Sequence, residues 1–154
     1  MPDVALLRSA DGARVKNIRQ TYLNSSDGKN ARVRMIEEAG VISYIKTIKE
    51  RISTLSAYEN EWEISKEEYE RELGDKDPDK NTVIKTRYCI PYAEHIIEID
   101  VYPFWIDRAI LEVELADENE SFSLPEYITV IKEVSADKRY KNTKLAKEIP
   151  YDEI

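Results

Sequence analysis

The feature that most constrains this chain is a period-two alternation of charged and apolar residues in short segments, repeated along most of its length. Arg14–Leu23, Ala31–Ile36, Ser43–Arg51, Tyr58–Ile64, Thr82–Ile90, His95–Tyr102 and Ala109–Ala116 are rich in β-branched and aromatic residues, with polar turn residues between them. That is the pattern of seven β-strands. Asp27-Gly28 lies between the first two, where a residue able to take positive φ marks a hairpin. Short sequential strands with tight connections predict an antiparallel sheet.

Residues two apart on a strand share a face, and this sorts the charges into rows. Arg32 and Arg34 share a face, as do Lys85 and Arg87. Glu59, Glu61 and Glu63 oppose Tyr58, Trp62 and Ile64; Glu98 and Asp100 oppose Ile97, Ile99 and Val101; Glu112 and Glu114 oppose Leu111, Val113 and Leu115. Two explanations fit these rows. They are solvated faces of a sheet packed on one core, or they line the lumen of a closed barrel whose apolar outside is covered by helices. The second has a chemical motive: neighbouring carboxylates hold a hard divalent cation, and arginines and lysines across from them bind phosphate oxygens.

The rest of the chain reads as cover and connection. Ser65 to Glu68 has the capping-box pattern and begins a helix that continues through Tyr69 to Leu73, ended by Gly74 and Pro78. Pro125–Ile131 and Asp137–Lys147 are helix candidates. With 154 residues and no linker, the chain is expected to form a single domain over 1–154. No run approaches the roughly 20 apolar residues of a membrane span, and the start lacks a secretion signal, so a cytoplasmic location is expected. The net charge of −8 argues against nucleic-acid and acidic-membrane partners. One cysteine, Cys89, and one histidine, His95, do not make a zinc site, so metal chemistry would use carboxylates. Lys46 falls on the face opposite Lys49 and reads as solvated. Trp62, Phe104 and Trp105 read as core or helix contacts, His95 as structural and Cys89 as a buried small apolar residue.

The ordered series Ile18 to Leu23, Arg32-Val33-Arg34, Thr47-Ile48-Lys49, Glu59-Asn60-Glu61, Ile84 to Tyr88, Glu98 to Val101, Leu111 to Leu115, Phe122 to Pro125, Lys132-Glu133-Val134 and Asp137 through Ala146 resembles the CYTH superfamily, the triphosphate tunnel metalloenzymes. The resemblance implies an α+β fold: an antiparallel β-tunnel with a few flanking helices. It implies hydrolysis of inorganic, nucleoside or thiamine triphosphates, or cyclisation of ATP, with Mg2+ or Mn2+. Carried over position by position, it implies Arg32, Arg34, Lys49, Lys85, Arg87 and Lys132 as phosphate-binding residues and Glu112 and Glu114 as metal ligands. Glu59, Glu61, Glu98 and Asp100 become a supporting acidic lining. The family's first strand, Glu-x-Glu-x-Lys, is not matched near Met1–Ala10, so the expectation is a tunnel opened by a missing strand. Three alternatives to a hydrolase remain: an adenylyl cyclase, a non-catalytic triphosphate binder, or an inactive remnant. A homodimer formed through the open sheet edge is a further expectation.

Overall fold

The computed structural model describes residues 1–25, 28–52, 57–117 and 119–154. Strands β1 (Arg14–Tyr22), β2 (Lys29–Glu38), β3 (Val41–Arg51), β4 (Ala57–Ile64), β5 (Val83–Tyr92), β6 (His95–Val101) and β7 (Ile110–Val113) form one sheet in the order β4-β3-β2-β1-β5-β6-β7. Every neighbouring pair is antiparallel. The sheet curls into a half-barrel with β4 and β7 at its edges. Each segment marked by the alternation is a strand, the last shortened to four residues.

The tight turns explain the register. Ala39-Gly40 joins β2 to β3, and Ala93-Glu94 joins β5 to β6, each a two-residue loop with both φ angles positive. Turns of that hand match the natural twist of paired strands. Gly40 takes this conformation freely, whereas Ala93 (φ 46°) and Glu94 (φ 70°) hold it against their own Cβ atoms. Gly28 precedes β2 at φ 74°; Asp27, its expected turn partner, lies outside the described residues.

The outer face of the sheet carries the main apolar packing. Helix α1 (Val4–Ser9), capped by Asp3, whose carboxylate accepts from the amides of Ala5 and Leu6, lays Leu7 on Tyr88, Ile90, Ile97 and Ile99. Helix α2 (Lys66–Glu72) begins at Ser65, whose hydroxyl accepts from the Glu68 amide at 3.1 Å. It packs Tyr69 against Leu23, Val33 and Ile64. Lys46, on this face as the alternation requires, is not solvated but pairs with Glu72 of α2 at 2.6 Å.

A third cluster belongs to the C-terminal segment. Tyr140, Leu145 and Ala146 pack with Tyr22, Val83, Tyr102 and Trp105. Tyr102 donates to Asn142 at 2.6 Å, and the Trp105 indole donates to the Pro150 carbonyl at 3.0 Å.

Four local expectations change. Pro125–Ile131 makes a single turn closed by Ile128 N to Pro125 O at 3.0 Å, not a helix; the β-branched run Ile128-Thr129-Val130-Ile131 disfavours one, and only Leu124 and Ile128 join the outer core. Asp137–Lys147 splits into a 3-10 turn, Lys138–Tyr140, and helix α3 (Asn142–Leu145), because Lys141 is extended at φ −72°, ψ 139°. Trp62 lies on edge strand β4 and is 41% exposed. Cys89 faces the polar side of the sheet, opposite Arg14 in register, and is only half-buried. No helix among the described residues is long and apolar enough to cross a membrane.

The strained turn gives a stability test. Replacing Ala93-Glu94 by Asn-Gly, residues at ease with positive φ, is expected to stabilise the fold by about 1 kcal/mol. A higher urea midpoint with an unchanged slope is the expected result; an equal or lower midpoint would show that the turn is not strained.

Candidate functional site

Residues directly opposite one another in adjacent strands point to the same face. The registers therefore assemble the charges of different strands on one surface. Gln20 lies opposite Arg34, and Tyr22 opposite Arg32. Arg32 opposes Thr47, which opposes Glu61; Lys49 opposes Glu59. On the other side of β1, Ile18 opposes Lys85 and Lys16 opposes Arg87. Arg87 opposes Asp100, Cys89 opposes Glu98, and Glu98 opposes Glu112. Arg32, Arg34, Lys49, Lys85, Arg87, Glu59, Glu61, Glu98, Asp100 and Glu112 thus line the inner face of the curl.

The centre of this face is an ion cluster withdrawn from water. Asp100 accepts from Arg87 through both oxygens, Nε to Oδ1 at 2.8 Å and Nη2 to Oδ2 at 2.9 Å. Lys85 Nζ lies 2.9 Å from the same Oδ2, and Arg87 Nη1 lies 2.8 Å from Glu98 Oε2. Lys85 is 2% exposed and Asp100 4%. Burial opposes ionisation of Asp100, but the Arg87 hydrogen bond and the Lys85 charge outweigh it and hold the carboxyl below its usual range. Burial dominates at Lys85: with Arg87 and Arg34 adding repulsion, its pKa falls to about 8 despite Asp100.

A second group sits on the β4 side. Arg34 Nη2 lies 2.7 Å from Glu61 Oε1, and the Thr47 hydroxyl donates to that same oxygen at 2.8 Å. Burial and the neighbouring Arg32 lower the Arg34 pKa, with Glu61 in partial compensation. Gln20 Nε2 donates to the Tyr22 hydroxyl at 2.7 Å. Three buried polar atoms on adjacent inner positions have no partner among the described residues: Gln20 Oε1, Arg32 Nε and Arg34 Nε. Gln20, Tyr22 and Thr47 are site neighbours that sequence reasoning passed over. Extending the parity rule along β1 from Ile18 and along β3 from Lys49 would have found them.

The remaining candidates are peripheral. Lys49 and Glu59 are exposed. Glu114 follows β7, where the burial alternation continues and keeps it in phase with Glu112. Lys132 lies outside every strand, exposed, and its charge acts on Asp137 of the C-terminal segment; the registers do not bring it to the inner face.

Glu112 and Glu114 form no ion pair among the described residues. Nor do three carboxylate, imidazole or thiolate groups converge there as an all-protein cage. Two exposed same-phase carboxylates fit a magnesium-type ion, which binds through one or two carboxylates and completes its shell with water and phosphate oxygens.

Over 134 residues the sequence is 31% identical to an inorganic triphosphatase of Acetivibrio thermocellus, an alignment covering 86% of this chain and 81% of that one. The chain belongs to the CYTH-like triphosphate tunnel family. No family model matches the sequence. Two crystal structures of NE1496, one named an inorganic triphosphatase, share 26% identity with this tunnel-family chain; they cover 97% of it, with TM-scores of 0.59 and 0.58, and it spans 93% and 89% of theirs. The PH1819 protein of Pyrococcus horikoshii OT3, at 19% identity and a TM-score of 0.55, covers 75% of this chain and 73% of its own and supports the fold alone. In this tunnel-family member the inner face is a half-barrel, not a closed tube.

The buried lysine gives a direct measurement. Lys85 Nζ should titrate with a midpoint near 8, well below the usual lysine range. The native state then sheds this proton before the unfolded chain does, so its contribution raises stability as pH climbs from about 8 to the ordinary lysine pKa of 10.5. Nitrogen-detected NMR of the lysine side chains measures the midpoint; a value above 10 would refute the burial argument.

Proposed function

We propose that this chain hydrolyses a triphosphate held against the charged inner face, with inorganic tripolyphosphate or a nucleoside triphosphate as substrate. The observation that carries the reading is the unspent donor capacity of the face: Arg32 Nε and Arg34 Nε are buried and without partners among the described residues, and Arg34 lies near Lys85 and Arg87. Buried donors left unsatisfied call for an acceptor, and an oxyanion with several charges supplies it. The activity named for the Acetivibrio relative agrees.

In this reading Arg32, Arg34, Lys85 and Arg87 grip the phosphate oxygens, and their fixed charges offset the charge that builds on the leaving phosphate. Lys49, exposed at the rim of the same face, extends the grip outward. Glu61, Glu98 and Asp100 hold the cations in place, so the face is organised before substrate arrives; Glu59 adds to the acidic lining. Glu112 and Glu114 would hold Mg2+ or Mn2+, and such an ion supplies polarisation of a phosphoryl oxygen and orientation of a water. Since Lys85 must be charged to grip phosphate, kcat/KM should fall as pH rises past about 8.

A second reading is a triphosphate-binding module without turnover, which uses the same cations and needs no ion at Glu112 and Glu114. One set of assays separates these readings: release of phosphate from tripolyphosphate and from ATP, with magnesium or manganese, in the native protein and in Glu112→Gln and Glu114→Gln. The hydrolase reading expects release from at least one substrate and a loss of roughly 100-fold or more in either variant with folding intact. Binding without release selects the module, and cyclic AMP from ATP selects a cyclase. Normal turnover in both variants would remove Glu112 and Glu114 from the metal site.

A further inference from the structure

Arg34 is the most exposed to misplacement of the buried cations. It sits beside Arg32 on β2, feels the charge of Arg87 across the curl, and among the described residues pairs with one carboxylate, Glu61. Glu61 is on edge strand β4, and its side chain is 43% exposed. A glutamate there has three rotatable bonds and water on one side. Among the described residues no β4 side chain bonds it in place over Arg34.

Thr47 does. It stands between them, opposite Arg32 on one side and Glu61 on the other, and is 2% exposed. Its hydroxyl donates at 2.8 Å to Oε1 of Glu61, the same oxygen that receives Arg34 Nη2 at 2.7 Å. A β-branched residue on a strand has a restricted χ1, so this donor is aimed without much freedom to lose. The Glu61 contact uses Nη2 and leaves Arg34 Nε without a partner among the described residues.

We infer that Thr47 is a positioning residue: it locks Glu61, Glu61 locks Arg34, and the locked guanidinium presents its free edge to phosphate oxygens. The inference rests on the triphosphate reading for its ligand but not for its geometry. Serine keeps the donor; valine keeps the shape and removes it.

The test compares Thr47→Val, Thr47→Ser, Glu61→Gln and the double variant Thr47→Val/Glu61→Gln. Calorimetric titration with inorganic tripolyphosphate should show Thr47→Val weakening binding roughly 3- to 10-fold, the loss expected for one hydrogen bond. Thr47→Ser should restore most of it. In the Glu61→Gln background Thr47→Val should add little, because the carboxylate it aims is gone. In the ligand-free protein, the Nε–Hε NMR signal of Arg34 should shift or broaden in Thr47→Val and hold its place in Thr47→Ser. Equal binding by native protein and Thr47→Val, or equal losses in both backgrounds, would overturn the inference. If the native protein binds no tripolyphosphate, the functional reading fails, and the Arg34 signal alone decides: unmoved in Thr47→Val, it overturns the positioning role as well.

Discussion

Asp100 accepts hydrogen bonds from Arg87 and Lys85 while 4% exposed, and much of the charged face follows from the cost of that burial. A carboxylate so far from water stays ionised only because two cations share it. The cations in turn tolerate burial because they share the anion, though not equally. Arg87 has Glu98 as a second partner and is held firmly charged, its guanidinium raised above the ordinary range as Asp100 overcomes burial. Among the described residues Lys85 pairs with Asp100 alone, and it falls to about 8. Removing Asp100 would leave both buried without their shared partner, a loss of the several-kcal/mol kind. Nearby, Arg34 is compensated by a different carboxylate, Glu61.

Stability and chemistry are divided between the two faces of one sheet. The outer face is closed by α1 and α2, which bring Leu7 and Tyr69 to rows of isoleucine and valine, and it supplies the ordinary hydrophobic driving force. The inner face buries arginine, lysine, glutamine and aspartate and gains little net stability from doing so. That side also carries an apolar group, the aromatic cluster around Tyr102 and Trp105, fastened by Tyr140 and Leu145. Backbone rigidity borrowed from the outer packing is what lets unpaired donors persist inside.

Most of the sheet was legible because parity is geometric. Once Arg32 and Arg34 or Glu98 and Asp100 are on strands, their common face follows, and the seven strands required no knowledge of partners. Strand order also decided which rows meet, and alternation carries no information about that: the sequence does not say that β1 pairs with β5, which is what sets Lys85 and Arg87 beside Ile18 and Lys16. The misreadings were at places where local preference competes with tertiary contact. Pro125 opens a turn that β-branched neighbours stop. Lys46 is charged but finds Glu72, a partner 26 residues away. The uncharged members Gln20, Tyr22 and Thr47 were overlooked because charge, not parity, was used to pick candidates.

The strand order also dictates when the face comes into being. β1 to β4 are a run of sequence neighbours, each pairing with the next, and such local pairings close quickly. The β1–β5 seam is different, since Ile18 must meet Lys85 after the whole intervening chain has been laid down. The aromatic cluster waits longer, for Tyr140, Leu145 and Ala146. During vectorial synthesis a nascent protein can therefore hold its hairpins while Arg32 and Arg34 stand without Lys85 and Arg87. The cationic face is completed only when β5 joins β1 and β6 brings Asp100 to Arg87.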